Sequence, residues 1–435
     1  MASSTIYEAT CSAPVNIAVI KYWGKRDTSL ILPTNDSLSV TLDQDHLRSV
    51  TTARADPSFS SPPERLWLNG VEEEIKSQGR MRTCIDEMRK LRKGLEDKDD
   101  KLPKLSTYGL RICSENNFPT AAGLASSASG FAALIYTLAS LYELQPAVST
   151  SHLSRIARQG SGSACRSLFG GFVAWQGGET TDGSDSLAVE VAPQEHWSEL
   201  QALICVVSDA KKGTPSTAGM QRTVATSPLL QHRIREVVPA RMKDISQAIK
   251  ARDFNRFAEI TMADSNNFHA TCLDTSPPIF YMNDVSRAIV QLVEEVNRAS
   301  EEAGKGKIVA YTYDAGPNAV LYAPKENVSL VLGLIRHYFP NADFDDTFNL
   351  LSSGANASHR GANQPASPLP TQEQGLPAGF NSAVIPVHEA GAVRRLIHTQ
   401  VGDGPRLLAR GGADDEVGLL NAEGEPKRLQ RSKRA

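Results

Sequence analysis

An α+β protein of two domains is what this sequence predicts, and three observations predict it. Strand patterns crowd into the first part of the chain and long helical periodicities into the second, a block arrangement that a regularly alternating, doubly wound sheet would not give. At 435 residues the chain exceeds one typical compact domain, and each of two domains of that size buries a sizeable core. Its residues are 40% hydrophobic and 22% charged, the balance of an ordinary globular protein. The turn-rich stretch Gly177 to Ser186 places the boundary near Pro193, which divides the chain into residues 1–193 and 194–409. Ser352 to Gly379, rich in Ser, Ala, Gln, Gly and Pro, reads as a flexible insertion, and residues 410–435 as a disordered tail.

In chain order, Ala13 to Ile20 is a largely apolar run of strand length that ends on the cationic, aromatic cluster Lys21-Tyr22-Trp23-Gly24-Lys25-Arg26-Asp27. Ser37 to Leu42 and His46 to Thr52 follow as strands. Leu66-Trp67-Leu68 turns at Asn69-Gly70, a dipeptide suited to a type I′ hairpin. Met81, Ile85, Met88 and Leu91 or Leu95 fall at helical spacing between Gly79 and Lys93, and the charged stretch 96–101 is a solvated loop. A strand from Tyr108 to Cys113 precedes the helices Phe131 to Leu144 and Thr150 to Arg158, and Gly170 to Trp175 is a further strand. Beyond the boundary come a strand at Leu203 to Val207 and helices at Ser227 to Lys250, Asp253 to Phe268 and Phe280 to Ala303. Strands at Lys307 to Tyr313 and Ala319 to Tyr322 and a helix at Glu326 to Tyr338 complete the pattern.

A formal net charge of −3 gives no reason to expect nucleic acid or an anionic membrane as partner, so the cationic residues act locally if at all. No apolar stretch is long enough to span a bilayer, and Met1 to Thr10 lacks the basic and hydrophobic regions of a secretion signal, so a cytoplasmic location is expected. Six cysteines without a C-x-x-C pair argue against a zinc site and a disulfide framework, and are read as buried free thiols. The basic end Gln430 to Ala435 is read as part of the disordered tail rather than as a surface-binding signal.

Four motifs carry chemistry. Pro119 to Gly130, small and hydroxylated, runs into a helix whose first N–H groups lack helical partners, the build of a phosphate cradle; a small-residue helix packed against a neighbour is the alternative. No Lys follows its glycines, so it is not a Walker A loop. The cluster Lys21 to Asp27 suits an anionic substrate, or is a solvated charge cluster beside a core Trp. The remaining two are Gly160-Ser161-Gly162-Ser163-Ala164-Cys165-Arg166-Ser167 and Tyr313-Asp314-Ala315-Gly316-Pro317-Asn318-Ala319. A guanidinium such as Arg166 matches a carboxylate in two hydrogen bonds, and Asp314 is delivered by a strand into a tight turn. On spacing alone Arg166 equally pairs with a structural carboxylate, and Asp314 equally caps a turn.

In Gly-Leu-Ala-Ser-Ser-Ala the chain resembles the GHMP kinase superfamily. The four motifs together, in this order between about Thr5 and Leu350, resemble the mevalonate diphosphate decarboxylase family within it. The resemblance implies the GHMP fold, with an N-terminal domain like ribosomal protein S5 domain 2 and a ferredoxin-like C-terminal domain. It implies ATP-dependent conversion of (R)-5-diphosphomevalonate to isopentenyl diphosphate with release of ADP, phosphate and CO2, on the way to isoprenoids and sterols. ATP and Mg2+ are the implied cofactors, the metal ligands being unassigned, and a homodimer the implied assembly.

The resemblance makes Asp314, Lys21 and Arg166 catalytic, with Asp314 orienting or deprotonating the substrate hydroxyl. It gives substrate contacts to Tyr22, Trp23, Gly24, Lys25, Arg80, Ser161, Gly162, Ser163, Ala164, Cys165, Arg166 and Thr217. Arg80 is equally readable as a helix-surface charge. Gly123, Leu124, Ala125, Ser126 and Ser127 fall to the nucleotide, and Ser208 to Lys212 flank the cleft from the second domain. Two rivals share the fold: a simple GHMP kinase, which would retain the phosphate on its product, and a non-catalytic sensor, which would have lost the acid that Asp314 supplies.

Overall fold

The computed structural model describes residues 6–118, 126–208, 213–344, 366–411 and 416–428. Three principal sheets carry it, with helices in blocks between them, so the α+β expectation holds. The expected first strand is the end of one and the whole of the next. Tyr7–Pro14 belongs to a six-stranded sheet, and Asn16–Ile20 to a four-stranded one, with Val15 between them. In strand order the six-stranded sheet runs Arg406–Arg410, Tyr7–Pro14, Arg48–Asp56, Gly109–Asn116, Glu64–Leu68 and Val71–Glu73. The four-stranded sheet runs Ala188–Ala192, Phe172–Trp175, Ser37–Thr41 and Asn16–Ile20. Asn69 and Gly70 both take positive φ, 50° and 77°, as the expected hairpin requires.

Helix Ser126–Leu141 is apolar on nearly every side because it lies across Tyr7–Pro14 and Arg48–Asp56 and is covered by Arg80–Glu96 and Thr150–Gly160. In the second half a five-stranded sheet runs Ala310–Tyr313, Ala319–Pro324, Leu200–Val206, Arg395–Gln400 and Asp343–Phe344. Helices Val238–Ala251, Phe254–Leu273, Asp284–Glu302 and Val328–Tyr338 accompany it. One apolar core runs unbroken from Ile17, Val40 and Phe172 in the four-stranded sheet to Leu203, Ile204 and Val320 in the five-stranded one. The two halves therefore meet through a continuous hydrophobic contact.

The long helix expected from Ser227 is Pro228–His232 and Val238–Ala251 joined by the π-helical turn Arg233–Val237, and Ser216–Thr226 is an additional helix. Two expectations near the end are corrected. Residues 366–379 of the expected insertion are packed: Leu369 and Leu376 lie on the core, and Pro370 closes over Gly333. Residues 345–365 lie outside the described part. The tail expected to be disordered from residue 410 is in part ordered. Arg406–Arg410 pairs antiparallel with Tyr7–Pro14, and residues 416–428 lie on the six-stranded sheet. There Leu420 is buried with Trp67 and Cys113, Arg54 Nη1 donates to the Ala422 carbonyl at 2.8 Å, and Leu419 N–H to Thr52 Oγ1 at 2.9 Å. A scattering of polar residues conceals one buried leucine, and hydrogen bonds on either side of it help to seat the segment. All six cysteines are buried and free, as expected.

Candidate active site

Where Asn16–Ile20 ends, the chain enters the interface between the halves and turns Lys21 inward. Its ammonium lies 2.6 Å from Asp314 Oδ1, with the lysine side chain 3% exposed and the aspartate 30%. Burial pushes the Lys21 ammonium below the usual lysine range, and the Asp314 carboxylate is the chief opposing influence. Asp314 follows Ala310–Tyr313 at once, and the Gly316 N–H closes back on the Asp314 carbonyl at 2.7 Å. Asn318 Oδ1 accepts from the N–H groups of Val207 and Ser208, tying that turn to the neighbouring strand end. The carboxylate thus stands on a braced turn with one side open to the cleft.

Arg166 lies in the 3-10 segment Gly162–Leu168 and is buried. Its Nε donates to Ser39 Oγ at 2.9 Å and Asn16 Oδ1 at 3.2 Å, and its Nη1 to Ser37 Oγ. Among the described residues no carboxylate lies within ion-pair distance of it, and Asp314 acts on its charge from farther off. Its charge is held by neutral hydroxyls and faces the cleft with Asp314.

The cleft encloses about 190 Å³. It brings together Lys21, Tyr22, Trp23, Lys25, Arg80, Ser127, Ser161, Gly162, Ser163, Arg166, Thr217 and Asp314, residues up to 293 positions apart in sequence. Lys25 is buried enough for its ammonium to be lowered to about 8, with the nearby Arg80 charge adding to the effect. Arg80 Nη2 donates to Thr217 Oγ1 at 3.3 Å, so the start of helix Arg80–Glu96 meets that of Ser216–Thr226 across the mouth. Arg80 is therefore a cleft residue. Trp23 is mostly wall: its Nε1 donates to Thr223 Oγ1 at 3.0 Å and its ring meets Phe268 edge-on at 4.9 Å. Tyr22 packs edge-on against Trp175, and its hydroxyl is buried without a hydrogen-bond partner among the described residues. A phenol in that state is a donor awaiting an oxygen.

Other expected residues stand behind the surface. Cys165 and Ala164 are fully buried, with the Cys165 thiol on the Gly162 carbonyl at 3.1 Å. Gly24 serves the backbone: φ is +95°, and a Cβ there would meet Thr34 Oγ1 at 2.7 Å. Ser126 lines a second cavity of about 240 Å³, walled by Leu66, Leu68, Met81, Ile112, Phe131 and Leu134, with Asn69, Ser114 and Asn116 as polar points. Ser127 lines both spaces and contacts Ser161 Oγ at 3.1 Å. An apolar slot and a cleft lined by cations and hydroxyls thus meet at one helix start, a fit for a nucleoside polyphosphate. Gly123, Leu124 and Ala125 lie outside the described residues, as do residues 209–212 of the flanking segment.

Sequence reasoning missed Asn16, Ser216, Met220 and Phe268, which also line the cleft. Asn16 sits inside an apolar run, and a lone amide there was the available signal; the others lie on helices whose facing is set by tertiary packing. Among the described residues no three His, Cys, Asp or Glu side chains cluster as a metal site. A divalent cation there would take its oxygens mainly from phosphate and hydroxyl groups.

Two family models cover most of the chain: a diphosphomevalonate decarboxylase-like N-terminal domain over residues 13–188 and a mevalonate 5-diphosphate decarboxylase C-terminal domain over 202–408. A diphosphomevalonate decarboxylase of Ganoderma lucidum is 65% identical over 97% of this chain and 100% of its own length. A crystal structure of mevalonate 5-diphosphate decarboxylase is similar with TM-score 0.78 and 47% identity over 96% of this chain and 99% of that one. A protein called MDDEF, solved in complex with MVAPP, AMPPCP and magnesium, is similar with TM-score 0.66 and 30% identity over 93% of this chain and 99% of that one.

Proposed function

The chain belongs to the mevalonate diphosphate decarboxylase family and catalyses the ATP-dependent decarboxylation of mevalonate diphosphate, and we propose that it does so at the Lys21–Asp314 pair. ATP phosphorylates the tertiary 3-hydroxyl; phosphate and CO2 then depart, leaving isopentenyl diphosphate. A tertiary hydroxyl is a poor leaving group and a phosphate ester a good one. Loss of the adjacent carboxylate supplies the electron pair that forms the double bond.

In this reading Asp314 orients the hydroxyl and accepts its proton as the oxygen attacks phosphorus. Lys21 steadies that carboxylate and offers positive charge to the transferring phosphoryl group. Arg166 takes the substrate carboxylate, for which its bonds to Ser37, Ser39 and Asn16 preset the plane of the guanidinium. Tyr22, Lys25, Arg80, Ser161, Ser163 and Thr217 take the diphosphate, and Ser126 and Ser127 the nucleotide phosphates, with the base in the apolar slot. Ser126 and Ser127 are the hydroxyls that would hold magnesium together with phosphate oxygens, and the ion would supply neutralisation of phosphate charge. Supporting this assignment is the buried ammonium–carboxylate contact, whose open side faces the cleft.

We read the chain as two domains meeting near Pro193, with the segment from Arg406 returned to the first. A cytoplasmic homodimer serving sterol synthesis is the setting we propose, and sedimentation of the purified protein tests the dimer. The chemical test is incubation with ATP, magnesium and carboxyl-labelled mevalonate diphosphate. Labelled CO2 and inorganic phosphate should appear in step with ADP, whereas ADP without phosphate would mean a kinase. Asp314→Asn should release the label at least about a hundredfold more slowly, about 3 kcal/mol of barrier, and an unchanged rate would remove Asp314 from its role.

A further inference from the structure

At Lys21 the main chain has left its sheet, so its N–H and C=O need partners from elsewhere in a buried setting. The N–H donates to Asp264 Oδ2 at 2.7 Å, and the carbonyl accepts from Arg233 Nη2 and Asn35 Nδ2, both at 3.0 Å. Arg233 also grips Asp264 in two bonds, Nη1 to Oδ1 at 2.8 Å and Nη2 to Oδ2 at 2.9 Å. Carboxylate and guanidinium, both 0% exposed, thereby close a ring around a single residue's backbone. Arg241 Nη1 adds a fourth bond to Asp264 from the less buried side, at 3.1 Å.

The next residue on the same helix holds the other partner of the cleft pair. Ser265 Oγ accepts the Tyr313 N–H at 3.0 Å, immediately before Asp314. Two successive residues of helix Phe254–Leu273 thus hold the backbones from which Lys21 and Asp314 reach toward each other. A buried ion pair is a poor source of stability, since apolar residues of similar volume often serve as well. Apolar residues cannot bond both ends of residue 21. A lysine stem with four rotatable bonds holds a 2.6 Å contact only when its origin is fixed.

We propose that Asp264 and Ser265, with Arg233, are positioning residues that set the approach of Lys21 to Asp314 in the reaction, an inference that rests on the role given to that pair above. The test is a double-mutant cycle read by single-turnover release of labelled CO2 and by steady-state KM. Asp264→Asn should slow release about thirtyfold and Ser265→Ala about fivefold, each with KM for both substrates within about twofold of the parent. In a Lys21→Ala background Asp264→Asn should cost less than about twofold, and in an Asp314→Asn background Ser265→Ala should cost less than about twofold.

Equal factors in the parent and in the matching variant background would mean that these residues serve the fold alone, and would overturn the proposal. A rise in KM with an unchanged rate would overturn it too. Should Asp264→Asn fail to fold, Ser265→Ala, which removes one hydroxyl, decides the matter by itself. Lys21→Ala turning over at the parent rate would overturn the role of Lys21, a result distinct from an additive cycle.

Discussion

Lys25 gives the cleft a pH signature at the scale of one residue. Its ammonium titrates near pH 8, lowered by burial first and by Arg80 second. Below that pH it is charged and attracts diphosphate; above it the charge is lost. kcat/KM for mevalonate diphosphate, which reports the free enzyme, should therefore fall as pH rises through about 8. Lys25→Arg, which keeps its charge, should flatten that limb, and Lys25→Gln should lower kcat/KM below about pH 8 and approach the parent above it. A pH profile of the three proteins checks this, and an unchanged limb in Lys25→Arg would detach it from Lys25. The cysteines behave oppositely: burial pushes the Cys84, Cys113 and Cys165 thiols up to about 12. An aromatic disulfide reagent should find no fast-reacting thiol in the native protein and six after denaturation.

Elements act through their close approaches. Gly162 opens the 3-10 segment carrying Arg166, and a Cβ there would meet the Trp175 and Tyr22 rings, each at 2.9 Å. Gly162→Ala should destabilise by roughly 1–3 kcal/mol and lower kcat, because the rings give way only by moving Tyr22 into the cleft. Thermal unfolding and turnover measured together test it. Legibility in the sequence follows the same division. Asn69-Gly70 and the periodic helices Arg80–Glu96 and Val328–Tyr338 were readable because their signals are local. Lys21, Arg166 and Asp314 were readable because each stands in a distinctive run. Asp264 was not: an acid in the middle of a helix gives no sign that Arg233, 31 positions earlier, meets it in a π-helical turn. Arg406–Arg410 was missed because an Arg-Leu-Leu-Ala-Arg run lacks clean alternation, and the turn residues on either side, Gly402 to Pro405 and Gly411-Gly412, bound it without pointing to a partner near Tyr7.

For the whole molecule, the segment 416–428 matters beyond its length. Leu420 is buried against Trp67 and Cys113 on one face of the sheet whose strands also contribute Leu66, Leu68 and Ile112 to the apolar slot. Leu420→Ala should cost about 2–3 kcal/mol, seen as a lowered melting temperature. Removing residues 416–435 should cost more and weaken ATP binding, measurable by calorimetry, while mevalonate diphosphate binding changes less. Equal losses for both ligands would mean that the segment has no particular tie to the nucleotide side.

The strand Tyr7–Pro14 lies between Arg48–Asp56 and Arg406–Arg410. The inner neighbour follows it closely in sequence, whereas the outer one belongs to a far later part of the chain. Until Arg406–Arg410 has been synthesised, a row of amide and carbonyl groups along Tyr7–Pro14 stands bare, open to any stray extended peptide. Chaperone demand on the nascent polypeptide should persist until that strand emerges from the exit tunnel and should drop once it pairs.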